Sequence, residues 1–167
     1  AAGSAVLMAH TYPSPEITPH LALSLCRSYA HSLFLTSSGH VFGCGLDNFG
    51  QVGTRRAPTP APSSRDQHVS SVLAPLPLEL GGHSGYPKEA QVFITGISTG
   101  HSHSLATGYL KKGRDGLALR RTYCWGLNSG GQCIVGDDDC LRRPTEVPEL
   151  QGALLVQAGA AHTMAVL

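Results

Sequence analysis

The sequence predicts an all-β fold built from small, repeated antiparallel sheets, and three observations support this prediction. Gly (20) and Pro (11) are frequent among the 167 residues, whereas charged residues make up 14% of them, against about 25% in an average globular chain. A short unit centred on a His recurs along the chain. A second, twelve-residue unit recurs at an offset of 81 residues. Recurrence of two units in the same order is typical of repeat folds.

The His-centred unit predicts a β-strand. Ala30–Leu33 recurs as Ser102–Leu105 and again as Ala161–Met164, and the start of the chain fits the same unit with Val6 in place of the His. Apolar residues occupy consecutive positions around these units, as in strands covered on both faces. With the apolar parts of the second unit, this pattern predicts strands near residues 32–36, 40–45, 93–98, 103–108, 122–126 and 154–158.

The second unit follows the His strand and contains the recurring glycines. Val41–Val52 aligns with Thr122–Cys133, with a Gly-Gln pair at the same place in each, and a Pro-containing approach to Leu80 or Leu150 then closes each repeat. Gly in such turns supplies positive φ angles at little cost. We predict that Trp125 and Cys44 occupy equivalent, buried positions. The residues predicted to be structural in the repeats are Gly45, Gly50, Gln51, Gly100, Trp125, Gly126, Gly131, Gln132 and Gly159.

These units resemble the repeats of the regulator of chromosome condensation family. The best matches are Gly100–Thr107 and Tyr123–Gln132. The resemblance implies a β-propeller of four-stranded antiparallel blades, about seven in a closed ring. This chain accounts for about two complete blades plus partial ones. Because two blades cannot close a ring, we expect the chain to be part of a longer polypeptide or of an assembly that covers its open edges.

The spacing of the units predicts how the chain is divided and where it is interrupted. The His-to-Trp interval is nine residues longer in the second repeat than the matching interval in the first. We therefore predict a remnant of a preceding repeat at 1–9, a linker at 10–23, a repeat at 24–80 with a Pro/Ser-rich insertion at 54–75, a repeat at 92–150 with a basic hairpin insertion at 109–121, and the start of another repeat at 152–167.

Two sets of residues are candidates for partner contacts. The inserted hairpin concentrates positive charge on a chain whose net charge is only +1, and its basic residues are Lys111, Lys112, Arg114, Arg120 and Arg121. The repeat histidines His31, His103 and His162 are predicted first of all to hydrogen-bond backbone or a neighbouring blade. The family resemblance adds a second role, because some repeat histidines of the family line the face that meets a small GTPase.

The sequence favours neither catalysis nor a cofactor. Nucleotide-binding loops and nucleophile elbows are missing from it, and His101 and His103 lack further ligands at a metal-binding spacing. We therefore predict no enzyme activity, no cofactor and no metal. The cysteines form an odd set without a close pair, which indicates a reduced, intracellular protein in the nucleus, the cytoplasm or the mitochondrion. Cys140 is predicted to be a loop thiol. No apolar stretch reaches the roughly 20 residues that a membrane span needs.

The function predicted from these features is non-catalytic protein binding or scaffolding by an RCC-type propeller. Two alternatives stay open. One is guanine-nucleotide exchange on a small GTPase, which the family resemblance implies. The other is a role in a ribonucleoprotein assembly, for example a mitochondrial one, because the Arg-Arg pairs suit phosphate. The near-neutral net charge argues against nucleic acid as the primary partner.

Overall fold

The structure is a computed structural model that describes residues 22–28, 30–54, 71–77, 91–112 and 117–167. The predicted remnant at 1–9 and most of the Pro/Ser-rich insertion lie outside the described residues. In the described part of the chain, ten strands form two four-stranded sheets and one two-stranded sheet, all antiparallel. The fold is therefore all-β, as predicted, and each four-stranded sheet is one propeller blade.

The first blade contains four strands in sequential order. They are β1 (Ala22–Arg27), β2 (His31–Thr36), β3 (Val41–Leu46) and β4 (Ser71–Pro77). In the register of β2 and β3, His31 lies opposite Gly45 and Leu35 lies opposite Val41. A tight turn then joins the strands, closed by the bond from the Thr36 amide to the His40 carbonyl.

The second blade repeats this plan with longer central strands. Its strands are β5 (Gln91–Thr99), β6 (His103–Lys112), β7 (Leu117–Leu127) and β8 (Cys140–Glu146). His103 lies opposite Gly126, and Thr107 lies opposite Thr122 where the first blade pairs Leu35 with Val41. Beyond that level, five further residue pairs extend the ladder to Lys112 and Leu117. The nine extra residues therefore lengthen a β-ladder.

The last described segment begins a third unit. A short 3-10 helix, Pro148–Leu150, leads to β9 (Leu155–Ala158) and β10 (Thr163–Val166), which pair with each other. The 3-10 helix is the only helical element among the described residues, and none of these forms a helix that could span a membrane.

The core lies within the blades and between neighbouring units. Strand β5 contacts β1 and β2 of the first blade, and β9 contacts β5 and β6 of the second. The buried side chains include Leu33, Leu35, Ile94, Tyr123 and Trp125, each at most 2% exposed. Because each unit covers one face of the preceding blade, the apolar residues on consecutive strand positions find cover on both sides, which explains the sequence pattern.

Several elements differ from the sequence prediction. Strands β1, β4 and β8 were not predicted, and Pro75 and Pro144 in β4 and β8 explain part of this, since Pro disfavours assignment to a strand. Strand β1 begins at Ala22, inside the range expected to be a linker, and β4 begins at Ser71, inside the range expected to be an insertion. Cys140 begins β8 and is half-buried, so the prediction of a loop thiol is wrong.

The repeated glycine in the third strand of each blade is required by the backbone. Gly126 has φ +104°, and a Cβ added there would lie 2.5 Å from the carbonyl oxygen of Ser102. We expect Gly126→Ala to lower the free energy of unfolding by about 2–3 kcal/mol, because strain and a backbone clash add together. Gly131→Ala is the matched control, since Gly131 has φ +71° but no atom within 4 Å of the added Cβ.

The control variant is expected to lose about 1 kcal/mol, the cost of a left-handed backbone alone. Urea unfolding followed by far-UV circular dichroism measures both values. Equal losses in the two variants would show that the close approach to Ser102 does not matter.

Candidate functional site

The first repeat histidine joins the two complete blades. Its Nδ1 lies 2.7 Å from the Ser28 hydroxyl and its Nε2 lies 2.8 Å from the Ser104 hydroxyl of the next blade. Ser104 donates its proton to the Gln51 carbonyl at 2.8 Å. Because a hydroxyl has a single proton, Ser104 must accept from Nε2–H, and Nδ1 of His31 is then the acceptor for Ser28.

The same arrangement recurs between the second blade and the third unit. His103 Nε2 lies 3.4 Å from the Thr163 hydroxyl, which donates to the Gln132 carbonyl at 2.6 Å. Gly100 stands where the first repeat has Ser28, and a Cβ there would collide with the His103 ring. His103 Nδ1 consequently has no hydrogen-bond partner among the described residues.

The Gly-Gln turns present their carbonyls to the next unit. In each turn the Gln side-chain oxygen accepts an amide N–H from two residues earlier, Phe49 for Gln51 and Gly130 for Gln132, both at 2.9 Å. The Gln51 carbonyl is thereby held against the second blade, where it accepts from the Trp125 indole N–H at 2.9 Å. This contact packs the Gly-Gln turn of the first blade against Trp125 of the second.

The burial of these histidines determines their protonation. Desolvation lowers the pKa of His31 to about 4, and repulsion from His103 and then His101 acts in the same direction. Desolvation also lowers the pKa of His103, with repulsion from His162 as the next cause. Both side chains are therefore neutral near pH 7, and both are buried at blade junctions. His162 is exposed.

The basic hairpin residues do not share one environment. Arg121 donates to Glu146 at 2.6 Å and to Gln151 at 3.1 Å. The guanidinium of Arg120 lies 6.0 Å from the ring centre of Tyr109, its cross-strand partner. Lys111 and Lys112 belong to the extended ladder, and Arg114 lies outside the described residues. The described part of the hairpin thus combines one paired arginine with one arginine beside a half-exposed aromatic ring.

Sequence reasoning missed several residues of the junctions. Ser104 and Thr163, which follow His103 and His162 in the sequence, each carry a hydroxyl that contacts the His of the preceding blade. A hydroxyl residue recurs at this place in the His-centred unit, and this recurrence could have indicated the contact. Asp47 and Asn128 are aligned in the second unit, and each side-chain oxygen accepts an amide N–H from five residues later. These bonds fix the turns that contain the Gly-Gln pairs.

The prediction that all cysteines are reduced is wrong for one pair. Cys124 on β7 and Cys133 in the following turn form a disulfide and are both buried. In the first blade the equivalent residues are Gly43 and Val52, and a Cβ on Gly43 would lie 2.9 Å from a Val52 methyl group. The strand and the turn meet in both blades, but only the second blade has sulfur at both positions.

The described residues contain no cluster of three or more His, Cys, Asp or Glu side chains that could hold a metal ion. At the junctions, the buried histidines face Ser and Thr hydroxyls of the next unit. This geometry joins the blades, and the β6–β7 ladder continues past the level at which β2 and β3 turn.

Comparison with known proteins agrees with the repeated plan. Models of the regulator of chromosome condensation (RCC1) repeat match residues 28–51 and 121–166. The chain is 29% identical, over 95% of its length, to the secretion-regulating guanine nucleotide exchange factor of Mus musculus, of which it covers 31%. It spans about a third of the length of such relatives.

Solved structures share the fold at low sequence identity. The crystal structure of human WBSCR16 superposes with a TM-score of 0.62 at 20% identity, covering 90% of this chain and 31% of that one. Prp20p from Saccharomyces cerevisiae, described with its binding properties to Gsp1p and histones, gives 0.62 at 20% identity over 88% of this chain and 31% of its own. The first matched stretch contains β2 and β3 of the first blade, and the second runs from β7 of the second blade to β10 of the third unit. These findings support an RCC-type repeat family: two stretches of the chain match the RCC1 repeat, and the fold is shared with solved structures of RCC1-type propellers.

Proposed function

We propose that the chain is a non-catalytic protein-binding part of a larger RCC1-type propeller, and that the β6–β7 extension is its contact element. The observation that supports this most strongly is the five-pair ladder that continues past the level where β2 and β3 turn. A paired ladder holds its backbone in one conformation, which lowers the entropy lost on binding compared with a loose loop.

The composition of the extension fits a protein partner. Tyr109 and its cross-strand neighbour Phe93 are 36% and 39% exposed, and Arg120 lies beside Tyr109. Aromatic residues and Arg are enriched at protein interfaces, where Lys is depleted at the core and tolerated at the rim. Positive charge from Lys111, Lys112 and Arg114 would favour an acidic partner surface. The related yeast protein named above is described as binding proteins, which is consistent with this proposal.

The test is to compare partner capture by the full-length protein and by a variant without the extension. Replacing residues 108–121 by the five-residue turn Thr36–His40 of the first blade removes nine residues and keeps a turn that this fold already accepts. We expect the shortened variant to lose at least tenfold in capture of the copurifying protein, with the thermal midpoint retained. Equal capture by both proteins would contradict the proposal.

A charge variant separates the basic side chains from the length of the ladder. Lys111→Ser with Lys112→Ser removes two charges from the extension, and Arg27→Ser with Arg143→Ser removes two from exposed positions elsewhere. We expect capture to fall, and to depend less on ionic strength, in the first variant alone. A similar loss in both variants would assign the effect to net charge.

Guanine-nucleotide exchange is the second candidate, because the mouse relative is named as an exchange factor. Release of a fluorescent guanine nucleotide from candidate small GTPases, measured with the full-length protein, tests it directly. Release by the parent and the shortened variant alike would place exchange on a surface other than the extension. Capture that nuclease treatment abolishes would instead support the ribonucleoprotein alternative.

A further inference from the structure

A polar cavity lies between the second blade and the third unit. Its volume is about 200 Å³, and it is bounded by β5, β6, β7 and β9. Leu105 and Val156 form apolar parts of its wall. Its polar side chains are Thr95, Ser98, Thr107, Arg120 and Gln157, and none of the lining residues is acidic. A cavity of this size is smaller than most sites for whole cofactors and suits a single small group.

At the equivalent junction between the first two blades, two of the corresponding strand positions are apolar. There the first blade presents Leu35 and Val41, which are 2% and 1% exposed. The residues at the same register positions in the second blade are Thr107 and Thr122. The two junctions share the strand pairing and the His-to-hydroxyl contact, and at this position of the wall Thr107 replaces Leu35.

Arg120 gives the cavity a positive charge and an unused donor. Its Nε–H is buried and has no hydrogen-bond acceptor among the described residues. A buried donor without a partner is costly, and a charged one more so. The N–H groups of Arg120 at the cavity therefore favour a bound ligand that supplies a hydrogen-bond acceptor.

The neighbouring hydroxyl and amide groups add donors. Gly96 has no side chain to cover the Thr107 hydroxyl, since a Cβ there would lie 2.8 Å from the Thr107 Oγ1 atom. The Ser98 hydroxyl donates to Gln157 Oε1 at 3.3 Å and accepts the Ala158 amide N–H at 2.9 Å. Because the Gln157 oxygen is used in this way, its Nε2 group keeps both protons for another acceptor.

We propose that this cavity binds an oxyanion, a carboxylate or a phosphate group, through Arg120, Thr107 and Gln157. Guanidinium is the side chain best suited to such groups, because its parallel N–H donors match two oxygens of the anion. The oxyanion can be a free ion or an acidic side chain of a bound protein segment, and both have the same chemistry at the cavity. Arg120 belongs to the extension, but binding of a free ion at the cavity does not require the protein partner proposed above.

The experiment is titration of the full-length protein with inorganic phosphate, with acetate, and with the capped tripeptide acetyl-Gly-Glu-Gly-amide, each at constant ionic strength with chloride as reference. Binding is measured by calorimetry and by the thermal midpoint. We expect at least one of the three to bind saturably and raise the midpoint. Saturation by phosphate or acetate indicates a free ion, and saturation by the tripeptide alone indicates an acidic side chain. Absence of saturable binding by all three would overturn the proposal.

Two variants locate the binding. Arg120→Gln removes the positive charge of the cavity. Thr107→Leu introduces the residue that the first blade has at this position, so it fills part of the cavity while Arg120 is retained. Arg143→Gln, at an exposed position outside the cavity, is the control for charge. We expect a loss of affinity of at least tenfold in the first two variants and none in the control, with native circular dichroism in all three. Unchanged affinity in both cavity variants would show that the ion binds elsewhere.

Discussion

Replacing Trp125 by alanine is expected to lower the free energy of unfolding by about 3–5 kcal/mol. The indole is fully buried, and its N–H donates to the Gln51 carbonyl of the first blade at 2.9 Å. The change leaves a large cavity between two blades and removes a donor from a buried carbonyl. Urea unfolding followed by circular dichroism measures the loss.

Two further variants show how much of that loss comes from the indole N–H and how much depends on burial at this position. Trp125→Phe keeps most of the buried volume but removes the N–H, so it is expected to cost about 1–2 kcal/mol. Cys44→Ala changes the equivalent residue of the first blade, which is only half-buried, and is expected to cost less than about 1 kcal/mol. A loss below about 1 kcal/mol in Trp125→Ala would show that the indole does not pack as described.

Stability is expected to fall as the pH is lowered from about 6.5 to about 4, in part because of His31. The folded protein holds the pKa of His31 at about 4, mainly by desolvation, whereas the ordinary value is 6.5. Between these values the unfolded chain binds a proton at this residue and the folded protein does not, so acid favours unfolding. The difference corresponds to about 3 kcal/mol, fully present above pH 6.5 and lost as the pH approaches 4.

The contribution of His31 is isolated by comparison with His31→Gln. The amide of Gln retains a donor for the Ser104 hydroxyl but does not titrate in this range. We expect the variant to be less stable than the parent at pH 7 and to show a shallower dependence on pH between 6.5 and 4, measured by urea unfolding at a series of pH values. Parallel pH profiles for the two proteins would contradict the buried, neutral state of His31.

The parts of the fold that the sequence predicted are those that repeat. Trp125 and Cys44 hold equivalent places, opposite Ser104 and Ser32 in their blades. The expectation that both are buried is wrong for Cys44, because it lies on the face of its blade turned away from the second blade. Burial depends on the neighbouring unit, and that information is not in the local pattern.

The parts that could not be predicted depend on contacts between distant residues. Cys124 and Cys133 meet only because the intervening turn folds back on β7, and the nine-residue separation resembles no disulfide signature. The ion pair of Arg121 with Glu146 needs the pairing of β7 with β8. The proposed oxyanion cavity could not be predicted, because it depends on Thr107 occupying the position that Leu35 has in the first blade. That equivalence follows only from the strand pairing of both blades.

Contact of the β6–β7 extension with a protein partner can be measured by hydrogen–deuterium exchange of the full-length protein, with and without its copurified partner. We expect slower exchange in residues 109–112 and 117–121 when the partner is bound, with little change in the Gly-Gln turns at 47–54 and 128–139. Protection confined to those turns, with unchanged exchange in the extension, would contradict it.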